Sequence, residues 1–233
     1  MEICAIHGSN RKGNTDRTIE IIKEQLNSYE NITYSDIYLP KDLPHFCIGC
    51  FACLSTGEYG GQNCPHMEFT HPIMEKILRS EGIIIGSPSY ALAETAQIKA
   101  LFDHFACNYI CHRPNEEMFN KIGFAVSTAA GAGTKRVLNI ISINLLFWGI
   151  KRFVKCGFNT WGNDWDNIPD KKRLKFEGIL KTKANKFYKL LKNRYKIVTN
   201  IKITVLRMVF KKMISGYTET NKDKIYWKLK GWL

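Results

Sequence analysis

Three times before residue 135, a short apolar run ends in a turn of small or polar residues and then passes into a helical pattern. Ile3-Cys4-Ala5-Ile6 leads through the turn at 7–15 into a helix over 16–26. The run Gly82-Ile83-Ile84-Ile85-Gly86 stops at Ser87-Pro88-Ser89-Tyr90, ahead of a helix at about 93–107. Ile122-Gly123-Phe124-Ala125-Val126-Ser127 ends in Thr128-Ala129-Ala130-Gly131-Ala132-Gly133 before another helical run. A continuous apolar run is the mark of a strand covered on both faces. Strands that alternate with helices through right-handed crossovers make a parallel sheet. With further strands at 32–37 and 153–158, the pattern predicts a doubly wound α/β domain with a five-stranded parallel sheet of order 2-1-3-4-5. Ligands of such sheets lodge at the carboxyl ends of the strands, where the strand order reverses.

The first turn, His7-Gly8-Ser9-Asn10-Arg11-Lys12-Gly13-Asn14-Thr15, has the makings of a phosphate cradle. A glycine-bearing turn into a helix aims several backbone N–H groups at one spot, on the positive end of the helix dipole. Ser9, Thr15 and Asn14 add hydrogen-bonding side chains and Arg11 adds charge. The turn nearly spells the nucleoside-triphosphate loop, but Asn14 stands where that loop needs its lysine. The dinucleotide fingerprint G-x-G-x-x-G is absent as well. A single terminal phosphate, held without metal, fits the turn best.

Gly8-Ser9-x-Arg11-x-Gly13-Asn14-Thr15, Gly86-Ser87-Pro88-x-Tyr90 and Lys99-Ala100-x-x-Asp103 together resemble the flavodoxin-like NAD(P)H-dependent FMN reductases, over about the first 160 residues. The ending Asp223-x-x-Tyr226-Trp227-x-x-x-Gly231-Trp232-Leu233 is similar to a clostridial-type subgroup of flavodoxin-family oxidoreductases. The resemblance implies FMN as cofactor, its phosphate held by Ser9, Asn10, Arg11, Gly13, Asn14 and Thr15. Pro88, Ser89, Tyr90 and Ala91 would line the isoalloxazine ring, and Thr128, Ala129 and Gly131, in the 128–133 loop, its other edge. It implies hydride passing from NAD(P)H to flavin N5, and a hydride or electrons passing on to a quinone, a nitro or azo compound, free flavin or iron. The flavin carries that chemistry, so no side chain is named as acid, base or nucleophile. Similar reductases are homo-oligomers. The alternative within this frame is an electron carrier that serves a redox protein partner. Lys99 and Asp103, four residues apart on a helix, read as a surface ion pair.

The chain has 233 residues and a net charge of +13, distributed unevenly. Residues 1–150 carry 12 basic and 15 acidic side chains, whereas residues 151–233 carry 22 and 6. The expected division is a flavodoxin-like domain at 1–194, closed by a lysine-rich helix at about 170–194, and a basic helical C-terminal extension at 195–233. In the extension, Ile201, Val205, Leu206, Val209, Phe210, Met213 and Ile214 recur at helical spacing among lysines. Such a face packs on the core or on a second subunit, with a membrane surface as the alternative. There is no apolar run long enough to span a bilayer. Nor is there a nucleic-acid recognition module. A start without a secretory leader, together with eight cysteines, points to a cytoplasmic protein with reduced thiols.

Cys47-x2-Cys50-x2-Cys53, followed by Cys64, forms a second chemical feature. Thiols at this compact spacing can face one metal centre. The set resembles that of the iron–sulfur flavoproteins, which implies Cys47, Cys50, Cys53 and Cys64 as ligands of a [4Fe–4S] cluster. The last gap is longer than that family's, and this ranks the cluster behind a loop of free thiols. A zinc site made by Cys47, Cys50, Cys64 and His66 uses some of the same atoms. Cys4 and Cys107 read as small core residues, and His7 as a hydrogen-bonded imidazole at a strand end. Arg113 is offered to the anionic edge of reduced flavin or to a nicotinamide phosphate, or else to a surface ion pair with Glu116 or Glu117.

Overall fold

The computed structural model describes residues 1–55, 61–162 and 164–233. Strands β1 (Glu2–His7), β2 (Thr33–Tyr38), β3 (Gly82–Pro88), β4 (Ile122–Ala129) and β5 (Arg152–Asn159) form one parallel sheet, in the order β2-β1-β3-β4-β5. The helices are α1 (Asn14–Asn27), α2 (Met67–Arg79), α3 (Ala96–His104), α4 (Thr134–Phe147), α5 (Asp170–Lys192), α6 (Ile201–Ser215) and α7 (Lys222–Leu229).

Alternate residues of each central strand feed two separate apolar layers. On one face Ile3, Ala5 and Ile84 meet Ile19, Ile22 and Leu26 of α1, together with Leu180, Phe187 and Leu191 of α5. On the other, Cys4, Ile6, Ile83 and Ile85 meet Ile77 of α2, Ile98 and Leu101 of α3, and Ile141 and Leu145 of α4. Both faces of β3 and β4 are therefore covered, which is why their sequences lack the alternation of a half-solvated strand.

Two elements differ from the sequence reading. Helix α3 begins at Ala96 rather than near residue 93. The chain first makes a tight turn in which Tyr90 and Ala93 exchange backbone hydrogen bonds, with Ala91 and Leu92 at positive φ. Thr95 then caps the helix by accepting from the N–H of Ile98. The apolar side chains of α6 also do not share one fate. Ile203 and Ile214 are buried and Leu206 and Phe210 half-buried, whereas Ile201, Val205, Val209 and Met213 stay exposed. Phe147 meets Phe210, and Arg207 lies over the rings of Phe119 and Trp232, so these contacts choose which edge turns inward. Among the described residues, no helix is long and apolar enough to cross a membrane.

Candidate functional site

The turns that follow β1, β3, β4 and β5 on the carboxyl edge of the sheet open into one cleft. Its walls come from His7, Gly8, Ser9, Arg11 and Gly13-Asn14-Thr15-Asp16, from Gly86 and Pro88-Ser89-Tyr90, from Thr128-Ala129-Ala130, and from Thr160 and Gly162 beyond β5. The cleft sits over the reversal of strand order between β1 and β3.

Neighbouring turns are tied directly to one another. The Gly8 N–H donates to the Gly86 carbonyl at 2.7 Å, and the Ser89 N–H to the Thr128 carbonyl at 2.8 Å. Thr15 Oγ1 and Thr128 Oγ1 are 2.6 Å apart, and Ser9 Oγ and Tyr90 Oη are 3.4 Å apart. Asn14 Nδ2 donates to Thr160 Oγ1 at 3.0 Å and to the Gly162 carbonyl at 2.9 Å, which brings in the turn after β5. Gly133 has φ +104°, and a Cβ there would lie 2.0 Å from Ser89 Oγ and 2.9 Å from Leu92 Cα. Only glycine lets the third turn pack against the second in this way.

No side chain caps α1, because Gly13 occupies its N-cap. The first-turn N–H groups are thus directed at the cleft, on the positive end of the helix. Below them His7 is clasped between two carboxylates, with Nδ1 2.8 Å from Asp16 and Nε2 2.9 Å from Asp36, and its ring stacks on Tyr38. Burial alone would raise the Asp36 carboxyl, but hydrogen bonds from His7 and Lys23 outweigh it and hold the group below the usual carboxylate range.

Ser9, Arg11, Gly13, Asn14, Thr15, Pro88, Ser89, Tyr90, Thr128 and Ala129 all line the cleft, whereas Asn10, Ala91 and Gly131 do not. Sequence reasoning missed Thr160 and Gly162. Gly162 carried a signal only as chain punctuation, and no local pattern links it to Asn14. Lys99 and Asp103 do form a surface ion pair.

The cysteine loop lies apart from that lining. Cys47 and Cys50 are exposed, with Phe46, Ile48 and Phe51 exposed beside them, and Cys53 and Cys64 are half-buried. The Cys64 thiol is pushed up by burial, against a lowering backbone hydrogen bond at His66, and to a lesser degree by the charge of Cys53, Cys47 and Cys50. The sulfur of Cys53 is held below the usual thiol range by a hydrogen bond from Cys107 and, further down, by the cation of Arg113. Cys107 is therefore a partner of the loop as well as a buried residue.

Arg113 takes neither of the roles read from sequence. It is buried, donating from Nη1 to the Cys53 carbonyl at 3.2 Å and from Nη2 to the Leu54 carbonyl at 2.7 Å, with Nε 3.2 Å from Asp223 Oδ1. Asp223 also pairs with His112 at 2.9 Å. Trp227 Nε1 donates to the His112 carbonyl and Tyr226 Oη to that of Pro114, both at 2.8 Å. The C-terminal motif is thus a clamp on residues 112–114, and through Arg113 it reaches the cysteine loop.

Comparison with known proteins agrees with this layout. The profile of the NADPH-dependent FMN reductases matches residues 1–153. An iron–sulfur flavoprotein of Clostridioides difficile is 33% identical over 168 residues, covering 68% of this chain and 69% of the relative. One from Archaeoglobus fulgidus is 24% identical over the full length of both chains. An azoreductase from Bacillus anthracis superposes with a TM-score of 0.61 at 12% identity, over 80% of this chain and all of that one, a likeness of fold.

Proposed function

Since the chain belongs to the NADPH-dependent FMN reductase family, we propose that it is an NAD(P)H oxidoreductase that works through FMN held in the cleft and reduces a small acceptor. The observation that carries this reading is the convergence of four strand-end turns, one leading into an uncapped helix N-terminus, at the switch point of the sheet. The residues present fit the cofactor. The free N–H groups of α1 with Ser9, Asn14 and Thr15 suit a phosphate. Pro88 stiffens the second turn, and Tyr90, half exposed, offers a flat face with a polar tip.

When bound, FMN would supply hydride acceptance from the nicotinamide at N5 and then pass a hydride to a quinone, a nitro or azo compound or flavin, or single electrons to iron. The chain's own part is to bind and orient. Asn14 holds the first turn to the fourth, Thr15 to the third, and Gly133 lets the second and third close together. The Tyr90–Ala93 turn leaves the open side accessible, so that nicotinamide and acceptor visit in turn. A reducing, cytoplasmic setting suits eight cysteines that are all free thiols.

A sulfur-ligated cluster fits less completely. Cys47, Cys50 and Cys53 supply a compact set, but Cys64 stands among imidazoles, and the reaction above routes nothing through a cluster. The alternative, an electron carrier, draws on the exposed Phe46, Ile48 and Phe51 around Cys47 and Cys50, which suit a protein partner. One experiment separates the readings: an absorption spectrum of the anaerobically purified protein before and after NADH and then NADPH. Flavin bands that bleach with nucleotide support the reductase. Bands that neither nucleotide bleaches move the assignment to the carrier, and a colourless protein that FMN cannot reconstitute removes both.

A further inference from the structure

Beside the cysteine run, a second set of donors takes no part in the flavin chemistry. Cys64 precedes α2, His66 stands at the N-cap of α2 and His104 closes α3. Their ligand atoms lie within 4.8 Å of one another. Cys64 Sγ is 3.9 Å from His104 Nδ1. Tetrahedral zinc, with bonds of about 2.3 Å to sulfur and about 2.0–2.1 Å to nitrogen, sets that edge at about 3.6 Å. That edge stands a few tenths of an ångström from its length in a closed site, and metal binding would draw His66 in from within 4.8 Å.

His104 is already oriented as a ligand. Its Nε2 lies 3.1 Å from the His45 carbonyl oxygen, which can only accept, so Nε2 carries the proton and Nδ1 turns a lone pair toward Cys64. A metal-bound histidine is commonly fixed in this way, by a hydrogen bond from its other nitrogen. His66 is held as well, stacked on His45 at 4.8 Å and meeting His104 edge-on at 5.2 Å, while Phe69 packs edge-on against His45. A small cavity runs beside Cys64 and His104 and is also lined by Asn108. Asn108 is 2% exposed, and its Oδ1 has no hydrogen-bond partner among the described residues. An ion with three protein donors keeps a fourth position for water. A buried, orphaned carbonyl in the same cavity is the acceptor such a water needs.

We propose that Cys64, His66 and His104 form a mononuclear site for a divalent cation of the zinc class, separate from Cys47, Cys50 and Cys53. One thiolate and two neutral imidazoles suit zinc and not the hard cations magnesium and calcium. The ion fastens the loop ahead of α2 to the end of α3. It also accounts for the position of Cys64, which leaves the thiol run and joins two histidines drawn from different helices.

The test uses the full, FMN-loaded chain after removal of metals by chelator. Zn2+ alone is titrated, and Co2+ serves as the spectroscopic probe. One zinc per chain is expected, and the cobalt form should show tetrahedral visible bands with a thiolate charge-transfer band that Cys64→Ser abolishes. His104→Ala and His66→Ala should each weaken zinc by about 100-fold or more, beyond the roughly 10–100-fold typical of outer partners. Cys47→Ser and Cys50→Ser should leave it unchanged. Flavin content and unfolding midpoint identify a variant that misfolds, and His104→Cys, which keeps a zinc donor, should restore binding. Three results would overturn the site: no retained zinc, zinc that depends on Cys47 and Cys50 but not on His104, or an iron–sulfur cluster that requires Cys64 and ignores His104.

Discussion

The cleft is closed by contacts between the ends of neighbouring strands, whereas the cysteine loop is held from the far end of the chain. In the cleft, most ties are backbone hydrogen bonds or short hydroxyl and amide contacts, such as Gly8 to Gly86 and Thr15 to Thr128. In the loop, one buried guanidinium bonds to the Cys53 and Leu54 carbonyls and is itself anchored by Asp223. A site made of strand ends follows from the sheet. A site made of one buried charge depends on whatever orders its partner, here α7 and its packed Tyr226 and Trp227. Damage to the two regions should therefore propagate differently.

The largest effect is expected from Arg113→Met. It strands Asp223 beside His112 and leaves two loop carbonyls without their donor. Removing one partner of a buried ion pair costs about 3–5 kcal/mol. The comparison requires the loss to appear in denaturant unfolding and in thiol accessibility of Cys53, while the protein that stays folded binds FMN normally. Loss of flavin from the folded fraction would show that the two regions are one unit.

Gly133→Ala attacks the cleft instead. Its Cβ would fall on Ser89 Oγ and the Leu92 backbone, at a φ that disfavours any side chain. Backbone strain and overpacking together suggest about 2–4 kcal/mol. Flavin affinity should fall with it, and thiol accessibility of Cys53 should not change. Asn14→Ala is smaller again: it removes two hydrogen bonds to the turn after β5, worth about 1–3 kcal/mol. Equilibrium dialysis of FMN against unfolding midpoints would separate lost affinity from lost stability.

These differences also explain what the sequence could reveal. The five strands and their order followed from apolar runs and small-residue turns, because both are local properties that the backbone enforces. Most of the cleft was readable for the same reason, as Ser9, Asn14, Thr15, Pro88 and Thr128 lie within the turns themselves. Thr160 and Gly162 were not, since their link to Asn14 spans almost 150 residues. Arg113 misled because a polar neighbourhood with Glu116 and Glu117 suggests solvent. Its burial depends on Asp223, and Glu116 pairs with Lys230 instead. His104 closes an amphipathic helix and gave no sign that it would meet Cys64. The stripe on α6 was read as one face, although a helix this apolar offers two, and only packing decides between them.

The mildest test acts on the clamp through pH. A hydrogen bond to Asp223, then one to Cys111, pushes the His112 imidazole up to about 10, against an ordinary value near 6.5. A group whose folded value is raised favours the folded state fully below its unfolded value. That contribution fades as pH climbs through the folded value. Docking of α7 on residues 112–114 should therefore be firm at pH 6 and weaken progressively from about pH 6.5 to about pH 10. The His112 side chain is 35% exposed, so water screens the pair and the effect should stay well below that of Arg113→Met. Trp227 and Trp232 report it directly, because Trp227 donates to the His112 carbonyl. Asp223→Asn should flatten the fluorescence change over that range, with FMN binding unaltered throughout. A change that persists in Asp223→Asn would assign the titration to another group and detach His112 from the clamp.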